Sequence, residues 1–232
     1  MYGDIYGPFV AAAASRVPNP KIACVVVHPE GDWGTYERAA KALQAAQTCR
    51  PVPVMATEND PFTMKRLQDT DGDALFVCAG HTPTYAQALS PYARELREWL
   101  RTGARPYGGY SAGAAAAAQV GIVGGWLHDG IRICPEESSE ETDELLISSG
   151  IGLLDWSVEV HATQWGTLSR AITAVASRLV ERAVAIDEDT LLHVVGSAGL
   201  VHGLGKVHLI TRTDHGTAIV SYRPGERVSL DH

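Results

Sequence analysis

The segment Gly109-Tyr110-Ser111-Ala112-Gly113 carries the clearest chemical signal in the chain. It has the spacing G-x-S-x-G, in which glycines on either side of a serine permit a tight turn from a strand into a helix. Such a turn lifts the hydroxyl clear of the sheet and places it at a helix N-terminus, where developing negative charge is stabilised. The pattern predicts that Ser111 is a nucleophile for acyl transfer; a simple helix cap is the alternative.

A serine nucleophile needs a base, and the base needs a carboxylate that orients it. Among nine histidines, His161 is the best-placed candidate, because it ends a predicted strand and precedes a predicted helix. Asp187-Glu188-Asp189 follows another predicted strand, and any of the three could be the acid; an exposed acidic turn is the alternative. The N–H groups of Ala112 and Gly80 are candidate oxyanion donors, since glycine lets the backbone approach closely.

Strands and helices alternate through the first half of the sequence, which predicts a parallel sheet covered by helices on both faces. Val158 to His161 begins a second half that is richer in strands. The expected architecture is a flavodoxin-like α/β core with a C-terminal antiparallel β-meander, in one domain over residues 1–232. We predict strands at 22–27, 52–55, 74–78, 105–110, 158–161, 183–186 and 191–195, helices at 34–47, 62–67, 85–102, 112–119 and 168–182, and the meander from residue 200 onward.

Composition disfavours several classes of function. The net charge is −8 and no basic stripe is present, which argues against nucleic-acid binding. No apolar stretch approaches the roughly 20 residues of a membrane span, and no signal peptide is evident, so we expect no membrane association and a cytoplasmic location. The four cysteines form no CxxC pair, and the acidic run at 136–144 is expected to be a solvated loop.

We expect neither a metal nor a cofactor. There is no HExxH motif, and His128-Asp129 has no third ligand nearby. A dinucleotide fingerprint is missing after the first strand, where His28-Pro29-Glu30-Gly31 follows Val27. An exposed edge of the parallel sheet is compatible with a homodimer.

Four segments in the same order resemble the S51 serine peptidases, the family of aspartyl dipeptidase (peptidase E) and cyanophycinase. The resemblance implies a class I glutamine-amidotransferase-like fold with a Ser–His–Glu triad. If the roles in that family are carried over to the matching positions of this chain, Ser111 is the nucleophile, His161 the base and Glu188 the acid. Gly80 and Ala112 are then the oxyanion donors. The segments are 76–80 (FVCAG), 109–114 (GYSAGA), 158–161 with 168–170, and 185–190 (AIDEDT).

The chain also departs from that family. Cyanophycinases resemble one another in an Asp-Gln pair before the histidine and several arginines after it; here Glu159 and Val160 precede it, and only Arg170 remains. Cyanophycin is therefore a disfavoured substrate, since paired guanidinium contacts would be lost. His81-Thr82 replaces an amide-bearing turn. We expect substrate contacts from His81, Glu159, Trp165 and Arg170. The segment 2–4 resembles the end of a glycine-rich turn without its strand, which predicts a sheet lacking the first strand.

Taken together, these features predict a serine peptidase that cleaves short peptides, with an acidic or otherwise polar residue at the cleaved bond. An amidase or esterase acting on a small metabolite is the alternative enzyme. A catalytically silent binding protein on the same scaffold is the alternative outside enzymes, although the presence of both Ser111 and His161 favours catalysis.

Overall fold

The computed structural model describes residues 2 to 230. Its helices are α1 (Tyr2–Ala14), α2 (Trp33–Ala46), α3 (Met64–Gln68), α4 (Thr82–Leu89), α5 (Ala93–Thr102), α6 (Ala112–Ala116) and α7 (Leu168–Ala176). The strands of the first half are β1 (Lys21–Val27), β2 (Arg50–Ala56), β3 (Ala74–Val77), β4 (Tyr107–Gly109), β5 (Val120–Gly124), β6 (Leu127–His128) and β7 (Ile131–Arg132). Those of the second half are β8 (Leu146–Ser149), β9 (Ser157–Val160), β10 (Arg182–Ile186), β11 (Thr190–Val195), β12 (Ala198–Gly203), β13 (Val207–Thr213), β14 (Gly216–Tyr222) and β15 (Arg227–Ser229).

The first sheet is parallel, with the strand order β2-β1-β3-β4. Strand β1 is apolar along its whole buried length because successive side chains enter two different cores. Ile22, Cys24 and Val26 pack beneath α1 and α2, whereas alternate residues of the same strand pack beneath α4 and α5. The predicted parallel sheet with helices on both faces is thus present.

The second half forms two further sheets. One has the order β14-β13-β10-β9, in which only the β9–β10 pair is parallel. The other is antiparallel, with the order β11-β12-β15. The predicted C-terminal meander is therefore only partly right: its strands exist, but consecutive β12 and β13 belong to different sheets. Two short antiparallel ladders, β5–β8 and β6–β7, complete the strand pairing.

Several predicted helix boundaries need correction. The expected helix at 85–102 is two helices separated by a 3-10 turn at Ser90–Tyr92, because Pro91 cannot donate the backbone hydrogen bond that a continuous helix needs. The expected helix at 168–182 ends at Ala176, and Arg178 adopts a left-handed φ of 61°. The expected helix at 112–119 ends at Ala116.

The N-terminal segment is helical where a glycine-rich turn was expected. Helix α1 begins at Tyr2, and its residues Phe9, Val10 and Ala13 cover the same face of the first sheet as Leu43 of α2. In the described part of the chain, no helix combines the length and apolar character needed to cross a membrane.

Candidate active site

Ser111 lies at the sharp turn between β4 and α6. Its backbone has φ 53° and ψ −114°, a combination that is rare for a residue with a side chain. Strain of this kind persists only where the surroundings enforce it, and it concentrates at functional sites. The turn therefore presents the Ser111 hydroxyl in the way that the G-x-S-x-G pattern predicts.

The two glycines of the turn are required by packing. A Cβ atom at Gly109 would lie 2.4 Å from the carbonyl oxygen of Gly113, and one at Gly113 would lie 2.1 Å from the carbonyl oxygen of Val77. Both distances are far below van der Waals contact. The absence of a side chain at Gly109 lets the turn close on itself, and its absence at Gly113 lets the turn pack against the end of β3.

His161 follows the last residue of β9 and reaches the Ser111 turn from the second sheet. Its Nε2 lies 2.9 Å from Ser111 Oγ. Strands β9 and β10 are parallel, so the residues that follow them meet at the same edge. Glu188 follows β10, and its Oε1 lies 2.5 Å from His161 Nδ1. Ser111, His161 and Glu188 thus form a continuous hydrogen-bonded chain.

The turn that carries Glu188 is held by the crossing segment at 203–205. Leu204 donates a backbone hydrogen bond to the carbonyl of Asp189, and Gly205 donates one to Thr190 Oγ1. A Cβ atom at Gly203 would lie 2.0 Å from the Asp189 carbonyl oxygen. The break between β12 and β13 therefore lets the segment at 203–205 pack directly against the turn that carries Glu188.

The three neighbouring acids have different surroundings. Asp187 is buried and accepts hydrogen bonds from the backbone N–H groups of Thr163 and Lys206, at 3.0 and 2.9 Å. Burial alone would raise the pKa of Asp187, but these hydrogen bonds and the nearby His208 outweigh it and lower that pKa. Asp189 is exposed. Of the three, Glu188 is the acid that contacts His161.

The two candidate oxyanion donors are close to Ser111 in different ways. Gly80 follows β3 and lines the same cavity as Ser111, whereas Ala112 is the first residue of α6. Within residues 2 to 230, no group accepts a hydrogen bond from the N–H of Gly80 or of Ala112. Glycine is required at position 80, because a Cβ atom there would lie 2.4 Å from the ring of Tyr85. Within the described residues, both N–H groups are therefore available as donors.

The candidate site opens into a cavity of about 600 Å³. The cavity contains the predicted residues Ser111, His161, Glu188, Gly80, His81 and Trp165. It is completed by Ala79, Tyr110, Glu136, Glu137, Ser138, Ser139, Glu140 and Glu141.

Glu159 and Arg170 are placed differently from what we expected for substrate contacts. Their side chains are buried, with 2% and 6% exposed, and Arg170 Nε lies 2.7 Å from Glu159 Oε2. Arg170 also donates hydrogen bonds to the carbonyls of Gly125 and Ser138, at 3.1 and 2.6 Å. The two side chains form an internal ion pair, so they do not line the cavity as predicted. Arg170 instead holds the segment at 136–141 through its hydrogen bond to the Ser138 carbonyl.

The acidic segment at 136–141 forms one wall of the cavity. Its exposed glutamates agree with the expected solvated loop, whereas Glu140 is held by another part of the chain. The Glu140 carboxylate accepts hydrogen bonds from the N–H and the hydroxyl of Thr82, at 3.0 and 2.9 Å. Thr82 is the first residue of α4, where a carboxylate is favoured by the unpaired N–H groups and the helix dipole. The contact is not predictable from the sequence, because 58 residues separate Thr82 and Glu140 and no local pattern links them.

His81 and Trp165 contact other parts of the site. His81 Nδ1 lies 2.7 Å from Thr84 Oγ1, and its Nε2 lies 3.0 Å from the Glu140 carbonyl oxygen. The Trp165 indole is stacked on the imidazole of His161, with ring centroids 4.0 Å apart and an angle of 16° between the planes. His81 thus joins α4 to the acidic segment, whereas Trp165 covers one face of His161.

This combination defines an α/β protein with a hydrogen-bonded serine, histidine and carboxylate at the edge of its sheets. Among solved structures, the chain is similar to a protein from Listeria monocytogenes EGD-e that is provisionally named as a peptidase E. The similarity covers 95% of both chains, with a TM-score of 0.52 and 15% sequence identity. At that identity it establishes a shared fold. No protein-family model matches the chain, and no curated protein matches it either.

Proposed function

We propose that the protein is a serine hydrolase that cleaves a peptide bond in short peptides through an acyl-enzyme on Ser111. The observation that carries this proposal is the hydrogen-bonded chain from Ser111 Oγ through His161 to Glu188, at 2.9 and 2.5 Å. The strained serine turn and the fold shared with a peptidase E-like structure support it further.

In the proposed mechanism, Ser111 Oγ attacks the carbonyl carbon of the scissile bond while His161 Nε2 accepts the hydroxyl proton. The carbonyl oxygen gains negative charge, which the N–H groups of Gly80 and Ala112 stabilise. His161 then donates its proton to the leaving amine, the C–N bond breaks, and an ester remains on Ser111. Glu188 keeps the imidazole oriented and balances its positive charge throughout.

The second half of the reaction uses the same groups. A water molecule attacks the ester carbonyl, and His161 accepts one of its protons. The tetrahedral intermediate collapses, the ester C–O bond breaks, and the proton returns to Ser111 Oγ. The products are a carboxylic acid and the free enzyme, so no oxidant, metal or cofactor enters the balance.

The walls of the cavity suggest which substrates fit. Glu136, Glu137 and Glu141 are exposed along it, and the described residues that line it include no lysine or arginine. The charge of Glu140 is already engaged by Thr82 at the start of α4. In place of the acidic residue that the sequence led us to expect, we therefore propose that peptides with a neutral or positively charged side chain at the cleaved bond are preferred over acidic ones.

The direct test is hydrolysis of a dipeptide and short-peptide library, read by mass spectrometry, for the wild type and for Ser111→Ala. A phosphonate probe that labels serine nucleophiles provides a second readout. Cleavage and labelling that are both lost in the variant support the proposal. Labelling without peptide cleavage would favour an amidase or esterase. A folded wild type that is neither labelled nor active would indicate a binding protein.

A further inference from the structure

Trp165 is placed in a way that burial alone does not explain. A large aromatic residue gains most by being buried, yet 49% of Trp165 is exposed. Its indole is nevertheless held parallel to the imidazole of His161, at a centroid distance of 4.0 Å. The backbone adds a second constraint, because the N–H of Trp165 donates a hydrogen bond to the carbonyl of His161 at 2.9 Å.

The His161 ring can move by rotation about its Cα–Cβ and Cβ–Cγ bonds. Contacts at Nε2 with Ser111 and at Nδ1 with Glu188 lie in the plane of the ring and oppose this rotation only through two hydrogen bonds. The Trp165 indole lies flat against one face of the imidazole, so it blocks movement of the ring toward that side by direct contact.

The stack also matters when His161 carries charge. The imidazolium formed by proton transfer from Ser111 would lie against the electron-rich face of the indole, an arrangement that favours the cation. The other groups around His161 are Ser111 and Glu188 at its nitrogens, with the acidic segment on the cavity wall. The indole of Trp165, by contrast, contacts the face of the ring.

Resting on the proposed function, we infer that Trp165 is a positioning residue for His161: it holds the plane of the imidazole and stabilises its charged form during acyl transfer. This role differs from the substrate contact that the sequence suggested for Trp165. A substrate contact would chiefly affect KM, whereas a positioning residue affects kcat and the rate at which Ser111 is labelled.

The test compares Trp165→Leu, which removes the ring but keeps apolar bulk, with Trp165→Phe, which keeps a smaller ring. The readouts are kcat, KM and the pH dependence of phosphonate labelling at Ser111, with thermal unfolding as a check on folding. We expect Trp165→Leu to lower kcat and labelling about tenfold, with KM changed less than twofold and with an altered pH profile. Trp165→Phe should restore most of the rate.

A spectroscopic measurement tests the contact without any substrate. The chain has five tryptophans, so the fluorescence of Trp165 is obtained as the difference between the wild type and Trp165→Phe. Protonated imidazole quenches a stacked indole. This difference signal should therefore change with pH in a wild-type background and stay flat in a His161→Gln background, measured against the His161→Gln/Trp165→Phe double variant.

The outcomes separate the two hypotheses. If the wild type is labelled and Trp165→Leu is labelled at the same rate, the inference fails and the proposed function stands. A rise in KM alone, or a fluorescence signal that ignores His161, also overturns the inference. If the folded wild type is never labelled and cleaves nothing, the proposed function fails and the inference falls with it.

Discussion

Asp187 and Glu188 are neighbours in the chain, but their carboxylates are used in opposite ways. Asp187 is buried and binds the backbone N–H groups of Thr163 and Lys206, whereas Glu188 contacts His161 Nδ1 at the cavity. Thr163 belongs to the segment just after His161. Asp187 therefore fastens the His161 segment to the turn that carries Glu188, and one pair of acids supplies both the anchor and the contact with the base.

Mutation can distinguish the roles of Asp187 and Glu188. Glu188→Gln should lower kcat by about 10²- to 10⁴-fold with little loss of stability, because it removes the charge beside the imidazole. Asp187→Asn should cost about 1–3 kcal/mol of unfolding free energy, because an amide cannot accept both N–H groups as a carboxylate does. Asp189→Asn is the control, since Asp189 is exposed. Urea unfolding and peptide hydrolysis distinguish the three; a large activity loss in Asp189→Asn with full activity in Glu188→Gln would reassign the acid.

The lowered pKa of Asp187 predicts how stability depends on pH. Its folded-state pKa lies below the unfolded value of about 3.9, so its contribution is fully present above that value and is lost as the pH falls through the folded-state pKa. The contribution of Asp187 to the unfolding free energy, measured as the difference between the wild type and Asp187→Asn, should therefore be fully present at about pH 5. Below about pH 4 it should shrink. A difference that grew as the pH fell below about 4 would contradict the assignment.

The strained backbone at Ser111 should lower the unfolding free energy of the protein. Ser111→Ala and Ser111→Gly should both lower activity by about 10⁴-fold or more, because the nucleophile is lost. At φ 53° and ψ −114°, glycine is far less strained than alanine, so Ser111→Gly should be the more stable variant by about 1 kcal/mol. Thermal unfolding measures this, with Ser197→Ala in an exposed turn as a control. Equal stability of the two Ser111 variants would mean that the turn is unstrained in solution.

The ion pair of Glu159 and Arg170 should behave as an internal support. Arg170→Met alone should cost about 3–5 kcal/mol, because it leaves the Glu159 carboxylate buried without a partner. The double variant Arg170→Met/Glu159→Gln should recover part of that loss. Chemical unfolding measures both. If the single variant were as stable as the wild type but bound substrate more weakly, Arg170 would be a substrate contact after all.

The acidic wall of the cavity should select substrates by charge. Lysine- or arginine-containing peptides should be cleaved about 3- to 10-fold faster than their aspartate or glutamate counterparts at low salt. The preference should fall in 1 M salt, where the screening length is about 3 Å, and in Glu136→Gln/Glu137→Gln/Glu141→Gln. Asp214→Asn, in the exposed turn after β13, should not change it. A preference for acidic peptides would refute the proposed selectivity.

The sequence predicted the elements whose causes are local. The buried runs of β1 and β3 are recognisable because residues covered on both faces must all be apolar. The serine turn is recognisable from its G-x-S-x-G spacing, in which the contact of Gly109 with Gly113 is local. The predicted strands also placed His161 at the end of one strand and the three acids after another. The choice among the acids came from a resemblance, since their local sequence does not distinguish them.

What the sequence could not predict depends on contacts between distant segments. Arg170 carries the charge expected of a substrate-binding residue. Its side chain is instead buried in an ion pair with Glu159, which lies 11 residues away. The acidic segment has the composition of a solvated loop, but Thr82 and Arg170 hold it against the cavity. The break between β12 and β13 follows from how closely 203–205 crosses the turn at 187–190. Each of these outcomes requires the tertiary arrangement.

Ser111 comes from the parallel sheet of the first half, whereas His161 and Glu188 come from the sheet built by the second half. Neither half by itself holds both the hydroxyl and the group that activates it. Under the proposed mechanism, a chain in which only the first sheet has formed carries a serine of ordinary, weak reactivity. Labelling of Ser111 during refolding would then report when the two sheets join, because the serine gains its reactivity only once both are in place.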